Sequence, residues 1–164
     1  MTHMTDDTRP DPADNGADVR LTPRFVESLY AEAMLLADEA RDYFDAAGRA
    51  DRDALPPKAR VAFACESLKV TTRIMHIVAW LLTQRAVEAG EVAATAQAGE
   101  RRLGHANPPD QDVLDLLPPG AASLIERSQD LYLRVARLDE GTHEAAVDSP
   151  ARALMGRLQR GLSQ

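Results

Sequence analysis

From Lys58 to Ala89 the chain contains neither glycine nor proline. No other feature constrains the fold as much. The stretch opens at Leu55-Pro56-Pro57, where proline suits the first turn of a helix, and closes at Gly90. A helix from there to Glu88 is roughly 50 Å long, against about 37 Å for the helix that precedes it. At about 100° per residue, Phe63, Ala64, Leu68, Val70, Thr71, Ile74, Met75, Ile77, Val78, Leu81, Leu82 and Ala86 cover more than half of the wheel. A helix apolar that far round packs against two neighbours.

The neighbours are legible on either side. Thr22-Pro23 is a cap followed by a first-turn proline, and the helical pattern continues to Ala47, where Gly48 stops it. Val26, Tyr30, Ala33, Ala37, Ala40, Phe44 and Ala47 step by fours and threes along one face, widened by Phe25, Leu29, Leu36 and Tyr43. The opposite face carries Glu32, Asp38, Glu39, Asp42 and Asp45, which complements a net positive second helix. A third helix is predicted from Pro119 to Asp139 on Leu124, Ser128, Leu131, Val135 and Leu138. Residues 105–118, with Asn107-Pro108-Pro109 and Pro118-Pro119, read as a loop, and residues 91–104 fit either a short helix or a loop. The expected fold is all-α: an antiparallel three-helix bundle over 22–139, behind a disordered acidic tail at 1–21. Residues 140–164 are expected to be a mobile segment, with a linker at 140–148 and a short helix from Ser149-Pro150 carrying Leu154, Met155, Leu158 and Leu162 beside Arg152, Arg157 and Arg160.

Composition excludes several functions. Lys and Arg number 19 against 26 Asp and Glu, a net charge of −7, which disfavours binding to nucleic acid or an anionic membrane. Aromatic residues make up 4%, too few for a stacking platform or a typical β-sandwich. Cys65 is the only cysteine, so no intrachain disulfide or cysteine zinc site exists, and a reducing compartment is expected. The first residues do not read as a signal peptide, and Ile74–Leu82 is too short to span a bilayer.

Catalytic motifs are missing too: no phosphate-binding glycine loop, no G-x-S-x-G and no H-E-x-x-H. Glu140 and His143 have the spacing of half a di-metal motif but straddle Gly141, so neither metal nor cofactor is expected. Cys65 reads as a small residue at the edge of a helix interface. His76, close to Lys69 and Arg73, could accept a phosphoryl group, but a phosphotransfer helix usually has Lys and Gly three and four residues later. Here those positions are Ala79 and Trp80. The polar strip of the second helix, Glu66, Lys69, Arg73, His76, Gln84 and Glu88, encloses Trp80. That ring is either folded over the core edge or an anchor in a subunit or partner interface, where Trp and Arg are enriched. The end of the long helix that outruns the other two needs cover from residues 91–104 or from another subunit. The terminal stripe either docks on its own bundle or is a tethered recognition helix. The candidate partner-binding residues are therefore Lys69, Arg73, His76, Trp80, Gln84, Leu154, Met155 and Leu158.

Three strings carry a resemblance. Arg24-Phe25-Val26-Glu27-Ser28-Leu29-Tyr30 is followed by Glu32-Ala33. The longest is Phe63-Ala64-Cys65-Glu66-Ser67-Leu68-Lys69-Val70-Thr71-Thr72-Arg73, continued by Met75-His76 and Val78-Ala79-Trp80-Leu81-Leu82. The third is Leu131-Tyr132 with Arg134-Val135-Ala136-Arg137-Leu138. Over about 24–138 the chain resembles the regulator of CtrA degradation (RcdA-like) family of bacteria. The resemblance implies a dimeric three-helix bundle without enzymatic activity. It implies a cytoplasmic adaptor that brings cell-cycle regulators to the ClpXP protease, its partners being the protease complex and substrate proteins, with a mobile C-terminal tail in the contacts. The alternatives are a histidine phosphorelay protein using His76 and a structural helical dimer with no protease role.

Overall fold

The computed structural model describes residues 21–91 and 102–162, the last of these, 146–162, as helical backbone alone. Residues 1–20 of the acidic tail expected at 1–21, and residues 92–101, lie outside the described residues. The elements are α1 (Pro23–Asp42), a π-helical turn (Tyr43–Ala47), α2 (Arg49–Asp53), α3 (Pro57–Glu88), α4 (Gln111–Leu114) and α5 (Pro119–Leu162). The protein is an all-α bundle, as its periodicities require.

Helix α1 starts as predicted: the Thr22 side chain accepts the Phe25 N–H at 3.3 Å, and Pro23 occupies the first turn. Its buried line is Val26, Leu29, Ala33, Leu36 and Ala40. The α-helix ends five residues before the expected Ala47, because one wider turn intervenes there. That turn rotates Tyr43 and Phe44 onto Phe63 of α3, with Phe44 edge-on to Phe63 at 5.4 Å between centroids. Gly48 closes the turn, its N–H on the Tyr43 carbonyl at 2.7 Å; a Cβ there would lie 2.8 Å from that oxygen.

Tyr43 also donates to Asp51 at 3.0 Å. Burial, and then the bond to Asp51, push its phenol up to about 12. A raised folded-state pKa means that the stabilisation is complete below the unfolded tyrosine value of about 10 and is lost as pH rises through the folded value. Urea midpoints should therefore fall between pH 10 and 12, and Tyr43→Phe should flatten that fall.

The uninterrupted stretch forms α3 with the expected ends, Pro56 preceding it and Gly90 leaving it at φ +73°. It packs against α1 on one side and α5 on the other. The covered arc is narrower than its sequence suggests, however: Leu68, Met75 and Leu82 were expected to be covered, yet all three are exposed.

Two expectations for the end of the chain are corrected. The third helix does not stop at Asp139, and 140–148 is not a linker; α5 runs on to Leu162. Gly141 stays in the helix and does not take the left-handed conformation of a terminator, and Thr142 binds the Leu138 carbonyl at 2.8 Å. An interior glycine costs only about 1 kcal/mol and a proline about 3. Glu144-Ala145-Ala146 are good helix formers, and helix continues past both residues.

The helix directions are also more specific than a simple antiparallel bundle. Arg85 of α3 lies over Tyr30 of α1 at 5.0 Å, and Phe63 lies beside Tyr43 and Phe44, so α1 and α3 are antiparallel. Arg134 binds Glu32 through two bonds of 2.7 and 2.8 Å, and Arg127 binds Glu39, so α1 and α5 are antiparallel as well. It follows that α3 and α5 run parallel. The acidic face of α1 thus pairs chiefly with α5, although Glu27 reaches Arg85 at 3.6 Å. The Arg127 bond holds the Glu39 carboxyl below its usual range. These pairs are exposed and contribute about 0–1 kcal/mol each.

Candidate functional site

The parallel course of α3 and α5 requires a connection that carries the chain back along the bundle, and residues 102–118 supply it. This strap lies along the polar strip of α3. Arg102 donates to Asp139 at 2.8 Å, Gly104 sits on His76, the Asn107 carbonyl accepts from Arg73 at 3.0 Å, and the Asp110 N–H donates to Glu66 at 3.1 Å. The strap thus descends α3 from His76 to Glu66 as it advances from 104 to 110. It ends in α4, capped by the Asp110 side chain on the Asp112 N–H, and Leu114 and Leu117 enter the core.

Beneath it lies a polar seam between α3 and α5. Arg73 is 0% exposed. One of its terminal nitrogens donates to Ser128 at 3.1 Å and the other to the Asn107 carbonyl, while Ser128 donates to the Ile125 carbonyl at 2.9 Å. Burial pulls the Arg73 pKa down, and the neighbouring Glu66 and Tyr132 oppose that pull. Glu66, also buried, accepts from Lys69 at 2.7 Å. Tyr132 donates to the Gly104 carbonyl at 2.9 Å and accepts from the Ala106 N–H at 3.1 Å. A Cβ on Gly104 would overlap the His76 imidazole, so only glycine lets the strap lie this close. Glu66 Oε2, Arg73 Nε, His76 Nδ1 and Gln129 Oε1 are buried without a partner among the described residues.

The expected partner-binding residues are distributed accordingly. Arg73 and Trp80 are not presented on the surface: Trp80 is 3% exposed, and its indole N–H donates to Asp139 at 2.8 Å. The strip that looked open in sequence is the seat of the chain's own strap. Lys69, His76 and Gln84 are half-buried along its edge, and Nδ1 of His76 is closed off from solvent. Leu154, Met155 and Leu158 lie on α5, outside the residues whose side chains are described. The seam partners Ser128, Tyr132, Asp139 and Gly104 escaped the sequence reading of the site. One signal existed: Ser128 is the single hydroxyl in the Leu124–Leu131–Val135–Leu138 stripe, and a polar residue in a core stripe needs a buried partner.

The open surface of α3 lies beside that strip, about a third of a turn round the helix. Val61 (64% exposed), Leu68 (68%), Met75 (63%) and Leu82 (45%) form a line at seven-residue intervals. Cys65, Thr72 and Ala79 lie beside it and are exposed as well. Among the described residues, no group of three His, Cys, Asp or Glu could hold a metal, and no helix is long and apolar enough to cross a membrane.

Comparison with known proteins follows the fold. Residues 17–162 match the family model described as "Protein of unknown function (DUF1465)". The crystal structure of RcdA from Caulobacter crescentus CB15 is similar with 36% sequence identity and a TM-score of 0.59, over 71% of this chain and 89% of that one. No curated protein matches.

Proposed function

This chain belongs to the RcdA-like DUF1465 family, and from that membership we propose that it is a non-enzymatic adaptor in regulated proteolysis. In this reading it is a cytoplasmic homodimer that delivers cell-cycle regulatory proteins to the ClpXP protease. The likeness to RcdA, 36% identical and covering 89% of that chain, is the observation that supports the role. The physical design suits it. A bundle stiffened by a buried polar seam holds a surface in place, and α5 continues well beyond the last described core residues, Leu138 and Asp139.

The part of α5 beyond Glu144 is proposed to be a partner contact, with Leu154, Met155 and Leu158 as its apolar anchors. Lys69, His76 and Gln84 are proposed to act at the edge of the strap. A reconstituted degradation assay tests the role. Addition of the chain should accelerate ClpXP degradation of a cell-cycle regulator that it binds, and truncation after Glu144 should remove most of that acceleration. The truncated protein should lose the helical signal of the residues removed and keep its melting temperature within a few degrees. A truncated chain that delivers substrate at the full rate would assign delivery to the bundle, and no acceleration by the intact chain would sink the adaptor reading.

A further inference from the structure

The strap is held chiefly by its main chain. Four hydrogen bonds join residues 104–110 to the seam, and all four end on strap backbone. Tyr132 donates to the Gly104 carbonyl and accepts from the Ala106 N–H, Arg73 donates to the Asn107 carbonyl, and the Asp110 N–H donates to Glu66. Between Gly104 and Asp110 the strap passes from His76 to Glu66, about 15 Å along α3, so six residues are largely extended. Side chains of the bundle therefore read an extended main chain, which another segment could present equally well. The strap adds two requirements of its own: a cation at Arg102 for Asp139, and no Cβ at Gly104, where the backbone lies on His76.

The seam does not need the strap for its shape. With the strap lifted, Arg73 keeps Ser128, Glu66 keeps Lys69 and Trp80 keeps Asp139. With the strap in place, buried Glu66 Oε2 and Arg73 Nε still lack a partner among the described residues. Opening lets water reach both atoms, which offsets part of the bonding lost. The apolar hold of the strap is slight. Ala106 is buried and Leu103 half-buried, but His105, Asn107 and Pro108 are exposed, and firm anchorage begins only at Leu114 and Leu117. A segment with so little apolar contact is suited to local opening.

We propose that the α3–α5 seam is a docking groove for an extended segment of a partner protein, and that residues 102–110 fill it in the free chain as an autoinhibitory resident. The segment it takes carries an arginine, a glycine two residues later and a small residue two beyond that, as Arg102, Gly104 and Ala106 do. Its arginine pairs with Asp139, its glycine crosses His76, and its backbone meets Tyr132, Arg73 and Glu66. A tethered resident competes at an effective concentration on the order of millimolar. A partner therefore enters when the strap is weakened or when a second contact holds that partner nearby. The inference rests on the geometry of the seam and does not require the adaptor role.

A labelled peptide of residues 102–110 is the probe, and Trp80, the only tryptophan, reports the state of the groove on the full chain. In Gly104→Ala the added Cβ would lie 2.4 Å from His76 Nδ1, which should lift the strap. This variant should keep its helicity and expose Trp80 to acrylamide. It should bind the peptide about tenfold or more tightly than the wild type does, because apparent affinity follows the open fraction. Bound peptide should shield Trp80 again. The peptide carrying Gly104→Val should not bind, and the one carrying Arg102→Ala should bind more weakly. In the wild type, the amides of Ala106 and Asp110 should exchange through a local opening, well before those of Val70 and Ile77. Exchange of all four only on global unfolding would overturn the proposal. So would a Gly104→Ala chain that loses its helicity, that keeps Trp80 as shielded as in the wild type, or that opens without binding the peptide. Equal binding of the native and Gly104→Val peptides would overturn it too, since the groove would then not read the glycine.

Discussion

Replacement of Arg73 by alanine should cost about 3–5 kcal/mol of folding stability, the usual result of breaking a buried charge network on one side. The guanidinium is fully enclosed and joins three segments: α3, Ser128 of α5 and the Asn107 carbonyl of the strap. Without it, buried Glu66 keeps Lys69 and the Asp110 N–H but loses its nearest interior cation. The Asn107 carbonyl loses its donor, and a void the size of an arginine side chain opens under the strap. For a chain of this length the loss corresponds to roughly 10 °C or more in melting temperature. Arg73→Met, which fills the volume, should be milder. Glu66→Gln added to it should recover part of the loss, because the buried carboxylate is then no longer charged. Urea unfolding followed by circular dichroism measures all three. A change below 1 kcal/mol in Arg73→Ala would mean that the seam does not hold the bundle.

Trp80→Ala should be nearly as severe, at about 3–5 kcal/mol for the loss of a buried aromatic side chain. Trp80→Phe separates shape from polarity. It keeps most of the ring but leaves Asp139 with Arg102 alone, at a cost of about 1–3 kcal/mol. Both variants should leave the proposed homodimer intact, because the ring faces α5 and the strap, away from the open face of α3. Light scattering on the folded variants decides this point: a stable but monomeric Trp80→Ala would restore the interface role that its place in the polar strip suggested. Amide exchange offers a second readout. Both Arg73→Ala and Trp80→Ala should accelerate exchange at Ala106 and Asp110, whose N–H groups bind Tyr132 and Glu66 across the strap.

Much of this protein is local in origin, and that part was legible. The limits of α3 follow from Pro56-Pro57 and Gly90, and the start of α1 follows from Thr22-Pro23, because caps and breakers act on the residues next to them. The apolar stripes of α1 and of α5 up to Leu138 follow from the 3.6-residue period. The same local logic overstated two signals. Gly141 and Pro150 suggest a helix end, but each is a penalty of fixed size and not a stop, and α5 carries both. The wider turn at Tyr43–Ala47 has no local signature beyond the aromatic pair that it turns towards Phe63.

Local pattern is enough to specify an all-α chain, three long amphipathic segments, and an α3 too apolar for a single neighbour. What each side of α3 meets is a tertiary property. A helical wheel ranks faces by polarity, and burial depends on what the rest of the chain brings to them. The strap supplies carbonyls, an N–H and a side-chain-free glycine to the polar strip, so Arg73 and Trp80 are buried with partners. Because that strap returns the chain to the start of α3 before α5 begins, α5 runs parallel to α3 and leaves the Val61–Leu82 face uncovered. A buried arginine and an exposed methionine on one helix reverse the order that hydropathy assigns. The reversal comes from hydrogen bonds between residues 34 and 55 positions apart, which no local period encodes.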